Sequence, residues 1–129
     1  MTAAKLQGLS NEQLAERFKL LSFQEAEDES SSKYYRSAYD QLNSVSAELR
    51  RRGSEARRAL IPLLDCKDNS RTMSAVAQCQ YNAARELLAI EPVRARATLE
   101  ALASSVTQSQ MALARETLDV LNNGTFKPT

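Results

Sequence analysis

Six successive stretches of the chain repeat apolar side chains at intervals of three and four, and only three Gly and three Pro interrupt 129 residues. That period puts each apolar set on one face of a helix, whereas a strand needs alternation. So few Gly and Pro favour long helices and argue against a sandwich or barrel of many short strands. An all-α fold follows. Its length suits a single domain, residues 1–129, with a core over about 9–124 and short tails at either side.

The first stretch opens at Leu9-Ser10-Asn11-Glu12-Gln13-Leu14. Ser10 is placed to cap the amide three residues on, Gln13 to reach back, and Leu9 to staple against Leu14. Leu14, Phe18 and Leu21 continue the face. Four acids then gather in Glu25-Ala26-Glu27-Asp28-Glu29 before three serines. Negative charge opposes the dipole of a helix C-terminus, so a frayed end and a loop are expected there. The second stretch carries Tyr35, Ala38, Leu42, Val45 and Leu49. It closes on Arg50, Arg51 and Arg52, with Gly53 where a left-handed residue ends a helix. Ser54 is expected to cap a third helix through Ala56, Leu60 and Leu64, kinked by Pro62.

Asp68, Asn69 or Ser70 is expected to cap the fourth helix, whose stripe is Met73, Val76, Ala77, Tyr81, Ala84 and Leu88, ending near Glu91. Pro92 suits the first turn of a fifth, with Ala95, Leu99 and Leu102 inward. Val106-Thr107-Gln108-Ser109-Gln110-Met111 repeats the opening signals of the first helix, with Thr107 as cap and Gln110 reaching back. Met111, Ala114, Leu118 and Leu121 form the last seam. Asn122-Asn123-Gly124 ends it, leaving Thr125-Phe126-Lys127-Pro128-Thr129 as a tail. No pair of such helices buries its own stripe. Three antiparallel pairs stacked as a short α-α superhelix, second helices lining a shallow concave face, are the economical arrangement, with a closed up-and-down bundle as the alternative.

Arg57-Arg58-Ala59-Leu60-Ile61-Pro62-Leu63-Leu64-Asp65 resembles the first helix of a HEAT repeat, an apolar helix with an internal Pro. Asn82-Ala83-Ala84-Arg85-Glu86-Leu87-Leu88-Ala89-Ile90-Glu91-Pro92 resembles its second helix and the start of the next repeat. With Leu49-Arg50-Arg51-Arg52-Gly53 and Gly124-Thr125-Phe126-Lys127-Pro128, the chain over about 6–128 is similar to a small bacterial family of unknown function. The resemblance implies a HEAT-like stack of helix pairs and carries no catalytic residues with it. At Asn69 to Gln80 the segment is longer than the turn usual in that family.

Seventeen Lys and Arg face sixteen Asp and Glu, a formal net charge of +1. That gives no global basic field for nucleic acid. No apolar run reaches a membrane span and no signal peptide is legible, so a soluble, cytoplasmic domain is expected. His is absent, removing the usual general base and commonest metal ligand. Cys66 and Cys79, thirteen apart, match no metal pattern and are expected as reduced, buried thiols. No cofactor and no metal are expected.

Two groups of side chains are candidates for contacting a partner. Arg50, Arg51, Arg52, Arg57 and Arg58 straddle Gly53, and guanidinium forks grip carboxylates or phosphates two-pronged. Against this stands complementation of the helix dipole and ordinary solvated surface. Tyr34 and Tyr39 flank Tyr35 on the second helix and offer rigid area with a hydroxyl. The acids Glu25, Glu27, Asp28 and Glu29 read as a solvated loop. No glycine-rich phosphate loop or activated nucleophile is present. The sequence is that of a non-catalytic protein-interaction module, of which a binding or inhibitory (immunity-type) protein is one form. It acts as a monomer or weak dimer on another protein. Nucleic-acid binding through the Arg cluster is the alternative. An acid-dependent hydrolase using two of Glu48, Glu55, Asp65 and Glu86 comes after it.

Overall fold

The structure, a computed structural model, describes residues 2–27 and 32–129, the side chains of residues 32–35 aside. Its helices are α1 (Ala3–Gln7), α2 (Asn11–Glu27), α3 (Ser32–Arg52), α4 (Ser54–Arg57), a 3-10 helix (Arg58–Asp65), α5 (Met73–Leu87), α6 (Pro92–Leu102) and α7 (Gln108–Asn122). Among the described residues there is no strand, and the fold is all-α. No helix among them is long and apolar enough to cross a membrane.

Helix α2 starts as its sequence dictates. Ser10 Oγ accepts from the Gln13 amide at 3.0 Å and Gln13 Oε1 accepts from the Ser10 amide at 2.8 Å. Its far end departs from expectation, because the helix runs through Glu25 to Glu27 instead of fraying. Phe23 is fully buried with Cys66, Ala75 and Cys79, and Arg71 sits 5.1 Å over its ring while pairing with Glu27 at 3.1 Å. Buried area plus a cation at the helix C-terminus outweigh the unfavourable acids. Asp28, Glu29, Ser30 and Ser31 lie outside the described residues. Helix α1 precedes the first expected helix; Thr2 caps it at 3.3 Å, and its Leu6 is buried in the main core.

Two of the expected caps are replaced. Gly53, at φ 101, turns the chain between α3 and α4, so Ser54 is already inside the helix and makes no cap. Pro62 does not kink an α-helix; a single α-turn passes into a 3-10 helix, whose i to i+3 bonding accommodates the missing amide. Thr72 caps α5, accepting from the Ala75 amide at 3.0 Å, while Asp68 is engaged by the Ser70 amide and hydroxyl. Helix α5 stops at Leu87 rather than near Glu91, and Pro92 opens α6 as expected.

Helix α2 packs on α3, the 3-10 helix on α5, and α6 on α7; α5 also packs on α2, α6 and α7. Small residues make that central position work. Ala75, Ala77, Ala83 and Ala84 are buried on α5, letting neighbouring helices approach on several sides, with Leu87 and Tyr81 as the bulk. Leu14, Phe18, Val45, Leu49, Leu60 and Leu99 share one cluster with Ala77, Tyr81, Ala83, Ala84 and Leu87. Met73 does not join it; at 66 % exposure it leaves the stripe assigned to it.

Candidate functional site

One face of α5 is polar along its whole length. Ser74, Gln78, Asn82 and Glu86 recur every four residues, so they stack on one side of the helix. Gln78 and Glu86 are buried and Ser74 and Asn82 half-buried. Their hydrogen bonds run in one direction. Ser74 Oγ donates to Gln110 Oε1 at 3.2 Å, Gln110 Nε2 to Gln78 Oε1 at 3.0 Å, and Gln78 Nε2 to Asn82 Oδ1 at 3.0 Å. Asn82 Nδ2 then donates to Ser22 Oγ and to Glu25 Oε1, each at 3.0 Å. This chain joins α7, α5 and α2 and ends on a carboxyl group. Burial pushes the Glu25 pKa up from its ordinary value, opposed by the hydrogen bonds of Asn82 and Gln78.

Glu86 ends the stripe among arginines. Arg50 grips it with Nε at 2.6 Å and Nη2 at 2.8 Å, and these bonds raise the Arg50 pKa. Arg57 lies 3.7 Å from the same carboxylate and donates at 2.6 Å to the Glu86 carbonyl. Between the polar stripe and α3 lies a groove of about 510 Å³. Phe18 and Glu25 of α2 line it, Tyr39, Asn43 and Ser46 stand on the α3 side, and Arg85 and Leu113 come from α5 and α7. Phe126, Pro128 and Thr129 rim it as well. That volume lies within the range of ligand-binding clefts.

The arginines assigned to one cluster divide. Arg50 and Arg57 line the groove. Arg51 and Arg52 both serve Glu48, at 2.8 and 2.7 Å through Arg51 and 2.7 Å through Arg52. These bonds, Arg51 first, hold the Glu48 pKa at about 2, well below its ordinary 4.5. Arg52 also donates to Asn11 Oδ1 and the Leu6 and Gln7 carbonyls, tying the end of α3 to the end of α1 and the start of α2. Arg58 lies 3.6 Å from Glu91. Tyr39 lines the groove, exposed; the Tyr34 side chain lies outside the described residues. Of Glu48, Glu55, Asp65 and Glu86, only Glu86 reaches the groove wall. Cys66 and Cys79 are free thiols, both buried, and burial raises both pKa values, which suppresses the reactive thiolate.

The sequence alone does not point to Glu25, Gln78, Asn82, Arg85 and Phe126 as groove residues. The stripe at 74, 78, 82 and 86 is the available signal, since polar residues at i+4 spacing along a helix otherwise rich in buried Ala announce a second, polar contact face. Arg85 gives no such sign. Among the described residues no carboxylate pairs with it, and its guanidinium lies 5.1 Å from the Phe126 ring, a contact made only when the tail folds back. A family model described as a domain of unknown function (DUF2019) matches residues 12–122. No curated protein and no solved structure matches the chain.

Proposed function

The chain belongs to this family of unknown function, and from that premise we propose that it is a non-catalytic protein-interaction module, a HEAT-like set of helix pairs that binds and restrains a larger protein inside the cell. The observation that carries this is the groove between α3 and α5, already spanned on one side by main chain from residues 126–129. A surface that accommodates a peptide segment of its own suits another protein's segment. Two of the four acids considered for hydrolysis are already engaged. Glu86 is tied to Arg50 and Glu48 to Arg51 and Arg52, so neither is offered as a proton donor or acceptor. The same pairings speak against phosphate binding through the arginines, because Arg50, Arg51, Arg52 and Arg58 each face a carboxylate of their own chain.

An experiment with three chains tests the proposal. The unaltered chain, Asn43→Arg at the groove mouth, and Arg94→Glu on the exposed face of α6 are each immobilised and exposed to extract of the source cells. One protein retained saturably by the unaltered and Arg94→Glu chains and lost by Asn43→Arg supports the module. Retention of nothing, together with a small molecule that raises the melting temperature, overturns it.

A further inference from the structure

Residues 124–129 fold back over the body. Gly124, at φ 79, reverses the chain after α7. The Phe126 amide donates to the Val120 carbonyl at 3.1 Å, and the Phe126 ring then packs against the core beneath Arg85. Three residues on, the main-chain oxygen of Thr129 accepts from Arg57 Nη2 at 3.0 Å. Pro128, between these two seats, lines the same groove. The segment therefore crosses from α7 over α5 to α4 without regular secondary structure, held mainly at an aromatic seat and a guanidinium seat.

Both seats are built by the rest of the chain. Arg57 is 8 % exposed and already fixed by the carbonyl and carboxylate of Glu86, so it stands in place without residue 129. Its buried Nε has no acceptor among the described residues. As seated, the Thr129 oxygen reaches Nη2 alone, whereas a carboxylate laid across Nη2 and Nε satisfies both prongs of the guanidinium fork. The segment also leaves the groove open beside it.

We propose that this groove receives an extended segment of a partner protein, with an aromatic side chain beneath Arg85 and a carboxylate three residues later on Arg57, and that residues 124–129 hold the same seats as a built-in competitor. The inference rests on the interaction-module reading and names the chemistry of its partner. A resident segment seated in roughly nine molecules of ten lowers the apparent affinity of any competitor about tenfold. Engaging the unmet Nε prong as well as Nη2 is what lets a partner's carboxylate displace a segment that enjoys the advantage of being tethered.

The probe is an acetylated and amidated hexapeptide, Gly-Thr-Phe-Lys-Pro-Asp, titrated into the full chain and into the full chain carrying Phe126→Ala. Binding about tenfold tighter to Phe126→Ala is expected, with most of it removed when the peptide's Phe becomes Ala or its Asp becomes Asn. In the unaltered chain, saturating peptide should accelerate hydrogen exchange of the Phe126 amide and leave the Leu87 amide unchanged, a measurement that stands even where Phe126→Ala folds poorly. Equal affinity for both chains, indifference to the peptide's aromatic, or an unmoved Phe126 amide at saturation overturns the inference. If the hexapeptide fails while a protein is still captured through the groove, this inference falls and the module reading stands.

Discussion

Glu86 offers a test of whether distance or burial decides the strength of an ion pair. Its carboxylate, 6 % exposed, touches Arg50 at 2.6 Å and Arg57 at 3.7 Å. Arg50 is the nearer partner, with two hydrogen bonds, yet its side chain is 55 % exposed. Arg57 is the farther, at 10 %. A unit charge pair some 4 Å apart gains about 1 kcal/mol in water and about 4 kcal/mol at the effective dielectric near a protein interior, so burial should win. Exposed pairs contribute about 0–1 kcal/mol net, which bounds the Arg50 share. Removing one member of a buried pair costs about 3–5 kcal/mol, but Arg57 keeps its two main-chain acceptors, the Glu86 carbonyl and the Thr129 oxygen. Glu86→Gln should therefore lose about 2–3 kcal/mol, or about 8–12 °C in melting temperature for a domain of this size. Urea unfolding of Glu86→Gln, Arg50→Met, Arg57→Met and the two double variants yields both coupling energies. The Glu86–Arg57 coupling should come out at about 1–3 kcal/mol and exceed the Glu86–Arg50 coupling, below about 1 kcal/mol. The reverse order would mean that hydrogen-bond geometry outweighs desolvation here, and the reasoning would fail.

The core, the caps and the titrating acids make three further predictions. Leu99→Ala, at a fully buried position, should cost about 2–5 kcal/mol, whereas Leu118→Ala, only half-buried despite its place on the last seam, should cost less than about 2 kcal/mol; equal urea midpoints would contradict the burial pattern. Ser10→Ala should lose about 1 kcal/mol of helix-capping stability, and Thr107→Ala close to none through its hydroxyl, since that group bonds Ser105 and not an amide of α7. Glu25 and Glu48 should move acid stability in opposite directions. Glu48, held at about 2 when folded, contributes stability above pH 4.5 that fades as the pH falls towards 2, so Glu48→Gln flattens that decline. Glu25, raised by burial, favours the fold below pH 4.5 and loses that contribution as the pH climbs through its raised value. Glu25→Gln, whose amide oxygen still accepts from Asn82, should be more stable than the unaltered chain at pH 7 and equal to it at pH 4. A less stable Glu25→Gln at pH 7 would refute the desolvation argument.

Two near-identical sequence signals have opposite outcomes, and the difference explains what can be read in advance. Ser10 with Gln13 and Thr107 with Gln110 share one spacing and flanking apolar residues. The first pair closes reciprocally. In the second, Gln110 is 1 % exposed and spends both ends of its amide on Gln78 and Ser74, leaving Thr107 to bond Ser105. Capping is local, and spacing predicts it only where no distant partner competes for the same side chain. Apolar periodicity survives because it expresses burial summed over a whole helix, as in α3, where Ala38, Leu42, Val45 and Leu49 are all inside. The extension of α2 through Glu25 is hidden for the opposite reason. Phe23 and Arg71, 48 residues apart, jointly override the fraying that charge alone would dictate. The groove follows the same logic. Arg50 and Arg57 stand out in the sequence because they lie close together along it, but Glu25, Asn82, Arg85 and Phe126 become neighbours only after α2, α5 and the residues beyond α7 have packed. A chain with so few Gly and Pro thus declares its helices early, and conceals the chemistry of its groove in whatever those helices bring together.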